Sequence, residues 1–172
     1  MAKQADLEGL IARVKDRESL ADADAPLEAG SADRPGPVQY QNQRERLHID
    51  FSVHHPPAQG AEVLQPRIVV VAPGGRTERH RHAHETVFVI VRGAGEVWVD
   101  GRCVPVEEGD VVHVPRWAFH QTRAHAGSEL RVVAVTDFGF TSSILGDYTR
   151  RQRLKFDGAD AEKQADSEGG AD

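Results

Sequence analysis

The amino-acid sequence predicts an all-β domain, a sandwich or small barrel, and three observations carry that reading. From residue 67 onward, short apolar stretches alternate with Gly-, Pro- and Asp-rich turns at intervals of roughly eight to twelve residues. Helix-period patterns are absent between residues 40 and 140, which removes the α/β folds. Residues 79–91 open with His80, His82 and His84 at spacing two and run into the apolar segment Val87-Phe88-Val89-Ile90-Val91. Strand side chains alternate between faces, so the three imidazoles and Thr86 share a face with Phe88 and Ile90. Packing alone accounts poorly for three imidazoles beside a buried strand core. Imidazole is the commonest protein metal ligand, and one strand can point several at a single ion.

Composition sets the outer bounds. The chain has 172 residues, 39% hydrophobic and 28% charged, which suits one ordinary globular domain. A formal net charge of −6 argues against nucleic acid or an anionic membrane as the main partner. The single cysteine, Cys103, excludes an internal disulfide and a Cys-based zinc site. No apolar run is long enough to span a bilayer. The polar start Met1-Ala2-Lys3-Gln4-Ala5-Asp6 carries no signal-peptide core, so a cytoplasmic location is expected. Of the nine histidines, five lie between residues 80 and 120, where apolar density also peaks.

Taken in order, Leu7, Leu10, Ile11 and Val14 recur at helical spacing. That predicts a short amphipathic helix over residues 4–20, docked on the barrel or on a partner subunit. Residues 21–39 are acidic and rich in Ala, Pro and Gly, and read as a linker. Leu47, Ile49, Phe51 and Val53 alternate with His48, Asp50, Ser52 and His54, a half-buried strand. His54-His55-Pro56-Pro57 ends it, because proline cannot continue the ladder. His48, His54 and His55 are therefore surface or strand-end residues. Residues 67–72 form a β-branched strand, Pro73-Gly74-Gly75 a turn, 79–91 the histidine strand and Arg92-Gly93-Ala94-Gly95 its turn. Strand 96–99 follows, and Asp100-Gly101 is a strong two-residue hairpin signal. Strands 103–106 and 111–115, a strand 117–122 carrying His120, and a long final strand 129–138 complete the pattern.

Both faces of residues 87–91 are apolar, so one fills the core and the other needs a cover. Another sheet, the N-terminal segment or a second copy of the chain can supply it, and a homodimer is the expected answer. Residues 141–149 read as a turn or short helix. Residues 150–155 are a basic run, read as solvated, and 157–172 an acidic tail without aromatics, expected to be disordered. The resulting division is 1–39, helix and linker; 40–140, barrel; and 141–172, a C-terminal extension.

Two segments resemble the paired motifs of the cupin superfamily. Gly74, His80-Arg81-His82 and Gly93 follow the first motif, with Thr86 where a glutamate usually stands. Gly109, Pro115 and His120 follow the second, with Trp117 in place of its later glycine and Ala124 in place of its final asparagine. The resemblance covers residues 67–138 and implies a double-stranded β-helix, the jelly-roll barrel. It also implies that His80, His82 and His120 hold a divalent transition metal, Fe2+ first, with Mn2+, Ni2+ or Zn2+ as alternatives. Some cupin dioxygenases, including the gentisate and thiol dioxygenase groups, use three histidines without the glutamate. Residues 115–120 (Pro-Arg-Trp-Ala-Phe-His) are similar to the aromatic-rich second motif of the gentisate group, although those enzymes usually have two domains.

The physical reading agrees. Three imidazoles can cap one face of an octahedral ion and leave positions open for substrate, as a catalytic metal requires. Threonine at position 86 leaves the full +2 charge, which favours anionic substrates. The bland alternative, three satisfied core histidines, requires accidental spacing in two separate motifs. His84 has three readings: a fourth ligand, a catalytic acid or base beside the metal, or a strand-end residue; the catalytic role is the one adopted. Glu85 should face the surface or an interface, and His113 should sit in the core or beside the ligands without binding the ion. Arg79 could meet a substrate carboxylate, and Trp98, Trp117 and Phe119 are candidate substrate walls, with core or surface packing as the alternative for each. The expected function is a dioxygenase-type metalloenzyme acting on a small anionic or aromatic substrate. Its rivals are a non-redox isomerase or lyase and a non-catalytic ligand-binding cupin working with a second protein subunit.

Overall fold

The structure is a computed structural model that describes residues 7–16, 29–55, 63–146 and 153–155. Helix α1 (Leu7–Asp16) precedes strands β1 (Val38–Arg44), β2 (Ile49–His54), β3 (Gln65–Val71), β4 (His80–His82), β5 (Thr86–Arg92) and β6 (Ala94–Val99). Then come β7 (Arg102–Glu107), β8 (Val111–Val114), β9 (His120–Ala124), β10 (Leu130–Thr136), helix α2 (Phe138–Leu145) and β11 (Arg153–Lys155). The strands form two antiparallel sheets, one ordered β1-β2-β3-β10-β5-β8 and the other β11-β4-β9-β6-β7.

Alternation decides which side chains the sheets turn towards each other. On β5, Phe88 and Ile90 are buried while Val87 is exposed; on β10, Leu130, Val132 and Ala134 are buried. Val71, Val97, Val106 and Val114 fill the space between the sheets with them. This interior is the all-β core that the sequence predicts. The outer face of β5 and β8 leaves Val87 36% and Val111 64% exposed, on the side for which the sequence calls for a cover.

The turn chemistry is visible in the backbone. Asp100 and Gly101 both have positive φ, 46° and 79°, as a two-residue turn matched to strand twist requires. Gly95 serves a different purpose. A Cβ there would stand 2.1 Å from the Arg123 carbonyl oxygen on β9, so only glycine lets β6 approach at this point.

Four expectations need correction. The strand expected over 79–91 is two strands, β4 and β5, broken at 83–85. Residues 117–119 are not strand: Trp117 has a φ of 59° and sits in a turn, and β9 begins at His120. Trp117 occupies the position where the resembling motif has glycine, and the left-handed backbone explains that preference. The linker expected to reach residue 39 ends earlier, because β1 begins at Val38 and pairs with β2 from Val38↔His54 to Arg44↔Ile49. The basic run, read as irregular solvated chain, contributes a strand, since Arg153–Lys155 pair with β4, Arg153 opposite His82 and Lys155 opposite His80. Residues 17–28 and 156–172, where the rest of the linker and the disordered tail are expected, lie outside the described residues.

The close approach at Gly95 yields a stability test. Gly95→Ala should lower stability by about 2 kcal/mol, as overpacking against backbone does. Gly127→Ala, where an added Cβ meets nothing within 4 Å, should leave the urea midpoint unchanged. Equal midpoints for the two variants would contradict the packing described.

Candidate metal centre and cavity

Strand β4 points His80 and His82 to one face, and the β4–β9 pairing sets His80 directly opposite His120. The ligand atoms of the three imidazoles all lie within 4.8 Å of one another. Ring centroids are 5.3 Å apart for His80 and His82, 4.4 Å for His80 and His120, and 4.6 Å for His82 and His120. His82 and His120 are only 5% and 3% exposed.

Each ring is held by a backbone carbonyl. His80 Nδ1 lies 2.9 Å from Glu78 O, His82 Nδ1 2.9 Å from His84 O, and His120 Nδ1 3.0 Å from Ala118 O. A carbonyl only accepts, so each Nδ1 donates, and the Nε2 lone pair of each ring is left to serve as ligand. The donor set therefore fits a divalent ion, which His80, His82 and His120 would hold through neutral imidazoles. The Glu78 carboxylate is engaged elsewhere: its Oε1 accepts from Tyr40 Oη at 2.7 Å and from Asn42 Nδ2 at 2.5 Å.

The break after β4 has a purpose. Two residues apart on an unbroken strand, rings stand about 6.6 Å from each other. The bend at 83–85 instead stacks His84 on His82, with centroids 3.6 Å apart and planes within 13°. His84 is 2% exposed and its ring edge meets Phe138 at 5.6 Å. It is not one of the three clustered ligands. The bend is clamped from outside. Arg116 donates to Ala83 O at 3.0 Å and to both Asp137 carboxylate oxygens, and Asp137 Oδ1 accepts from the Glu85 backbone N–H at 2.8 Å. The hydrogen bond to Asp137 raises the Arg116 pKa above its ordinary value, against a smaller opposing effect of burial. Glu85 is exposed, as expected, and lies 2.6 Å from His113 Nε2. His113 is thereby exposed on β8, not in the core.

Beside the histidines lies a cavity of about 250 Å³. His80, His82, His84 and His120 line one part of it, and Phe51, Val53, Val69, Phe88, Val132 and Ala134 give it apolar walls. Neither Arg79 nor the three substrate-wall candidates Trp98, Trp117 and Phe119 are part of that lining. Trp98 alternates with the fully buried Val97 and so faces away from the core. Trp117 is 41% exposed in its turn. Phe119 sits outside the histidine set and packs under the guanidinium groups of Arg79, at 5.3 Å, and Arg81, at 4.6 Å. The polar wall comes instead from Gln39 and Tyr40 on β1 and Arg67 on β3. Inward parity shared by Arg67, Val69 and Val71 was the available signal for Arg67, but apolar residues on both faces of that strand hid it. Gln39 is the last residue of the stretch read as a linker, and Tyr40 directly follows it.

An antiparallel barrel with a converging three-imidazole cluster defines a protein of metal-binding β-barrel type. Residues 67–136 of the barrel match the cupin domain model. A 1-methylthio-D-xylulose 5-phosphate methylsulfurylase from Rhodospirillum rubrum is 39% identical over 66 residues, 37% of this chain and 41% of that protein. A 5-nitrosalicylic acid 1,2-dioxygenase from a Bradyrhizobium species is 28% identical over 68 residues, 40% of this chain and 33% of that protein. The matched region thus spans well under half the length of these relatives. A crystal structure of a cupin 2 conserved barrel domain protein from Rhodopseudomonas palustris superposes with a TM-score of 0.55 at 28% identity, covering 66% of this chain and 80% of that one.

Two predictions follow from the geometry of the centre. Thr86 is 2% exposed and its hydroxyl has no hydrogen-bond partner among the described residues. Thr86→Val should keep metal stoichiometry and leave stability equal or up to about 1 kcal/mol higher; metal loss in this variant would make the hydroxyl a ligand. Asp137→Ala should cost about 1 kcal/mol, discounted for the partly exposed Arg116, and speed amide exchange at Glu85. Unchanged exchange there would show that the bend does not depend on the clamp.

Proposed function

We propose that this chain is a metal-dependent enzyme of dioxygenase type that acts on a small anionic or aromatic substrate. The observation that carries the reading is the clustering of three Nδ1-anchored imidazoles, whose ligand atoms all lie within 4.8 Å of one another beside an apolar cavity. His80, His82 and His120 would hold the ion, iron before manganese, nickel or zinc. With an iron ion held there, the three histidines would provide a centre for one-electron chemistry on an anionic substrate.

The protein's own residues do the rest. The carbonyls of Glu78, His84 and Ala118 keep each ligand in its donor tautomer. Phe88, whose ring meets His120 at 6.0 Å, and the valines around it exclude water from the reacting space. His84, stacked on His82 and lining the cavity, is placed to hold or pass a substrate proton at an imidazole nitrogen. The nitrosalicylate dioxygenase among the relatives supports oxygen chemistry. The methylsulfurylase, with its higher identity, supports a second reading in which the same centre acts as a Lewis acid without redox change.

Metal content by mass spectrometry on untagged protein is the first test. We expect near-stoichiometric iron, lost in the His80→Ala/His120→Ala double variant. Oxygen uptake with a panel of phenolic and keto acids should exceed the metal-free control. His84→Phe should keep the metal and lose at least about tenfold in turnover. Stoichiometric zinc with no oxygen uptake would move the assignment to the Lewis-acid reading. Absence of metal after reconstitution would end both.

A further inference from the structure

Strand β4 is three residues long and supplies two of the three clustered imidazoles, so the centre is only as well placed as this strand. On its inner side β4 is held at few points. Among the described residues β9 offers it one register pair, His80↔His120. The Trp117 backbone N–H adds a hydrogen bond to His82 O at 2.8 Å. Before β4 the chain is anchored where Thr77 N–H donates to Thr122 O at 2.8 Å, and after it Arg116 donates to Ala83 O. A short strand fixed mainly at its ends, with a long edge left over, is where local opening costs little.

That edge is where β11 lies. Arg153↔His82, Leu154↔Arg81 and Lys155↔His80 match β4 residue for residue, and β11 is the outermost strand of its sheet. Antiparallel pairs alternate between hydrogen-bonded and open ones, so of any two consecutive residues of β11 one exchanges N–H and C=O bonds with β4. The chain after β10 reaches the centre a second time at the start of α2, where Phe138 meets the edge of His84.

We propose that β11 is a strap that positions the metal ligands: its pairing with β4 holds His80 and His82 beside His120, and metal binding and strap docking reinforce each other. This rests on the metal reading of the three histidines. A site whose ligands share a strand that can open binds more weakly, in proportion to the time it spends incompetent. Pairing along the whole of β4 removes that loss. The coupling is reciprocal, so an ion that fixes β4 raises the docked population of β11 by the same factor. The effect runs through the backbone ladder, which makes Arg153, Leu154 and Lys155 positioning residues.

Two readouts on the full chain test the strap, and neither is turnover. Cobalt(II) titration of the metal-stripped protein, followed by absorption, measures affinity. Arg153→Pro/Leu154→Pro removes a ladder donor whichever of the two residues carries it, and should weaken cobalt binding at least about tenfold. Arg153→Ala/Leu154→Ala keeps every donor and should bind within about twofold of the parent. Amide exchange at residues 153–155 of the parent chain should slow about tenfold when cobalt is added. That measurement needs no variant, so it stands even where the proline variant does not fold. Cobalt affinity unchanged by the prolines, an alanine variant as weak as the proline one, or exchange at 153–155 that ignores cobalt would each overturn the strap. A parent chain that takes up no cobalt would end the metal reading and the strap together, whereas equal binding by parent and proline variant would end the strap alone.

Discussion

The three Nδ1-to-carbonyl hydrogen bonds are the constraint from which the centre follows. Each uses a carbonyl two residues away in sequence, Glu78 for His80, Ala118 for His120 and, on the other side, His84 for His82. Such a bond fixes ring orientation and tautomer together, so the ligand nitrogens converge before any ion arrives. It also couples the ligands to local backbone shape. The His82 bond exists only because the chain bends after β4 and turns the His84 carbonyl back towards the ring. The break in the strand and the readiness of the centre are therefore one feature.

That bend has to be held from elsewhere, because it interrupts a ladder. Arg116 and Asp137 do so from outside the barrel, tying residues 83 and 85 to the turn before β9 and to the start of α2. Phe138, the next residue, enters the cavity region from the same helix start and meets both His84 and Arg67. A short helix after the last barrel strand thus braces the histidines on one side and the cationic wall on the other. Its charged residue works at the surface and its aromatic residue works inside.

Much of this was legible in the sequence, and the limits have physical causes. His80, His82 and His120 could be picked out because spacing two on a strand and a separate proline-anchored histidine are rare together. The strands from β3 to β10 could be read from alternation and from turns such as Asp100-Gly101. The break at 83–85 could not, since His84, Thr86 and Phe88 keep the parity of an unbroken strand and every one of them is buried. Trp117 and Phe119 misled because aromatic residues favour strands, while here a positive φ at Trp117 places both before β9 and off the cavity. Arg67 was hidden on a strand whose two faces are both largely apolar. β1 was masked by the Pro35-Gly36-Pro37 stretch before it, which reads as linker.

The charge distribution gives the cavity its selectivity. The whole chain has a formal net charge of −6, so at long range it does not attract anions. At physiological ionic strength the field of exposed charges fades over a Debye length of about 8 Å. Inside the slot the lining has Arg67 and three imidazoles suited to a divalent ion. Apolar walls there lower the screening and strengthen each charge contact. Such an arrangement selects by fit at short range and not by steering.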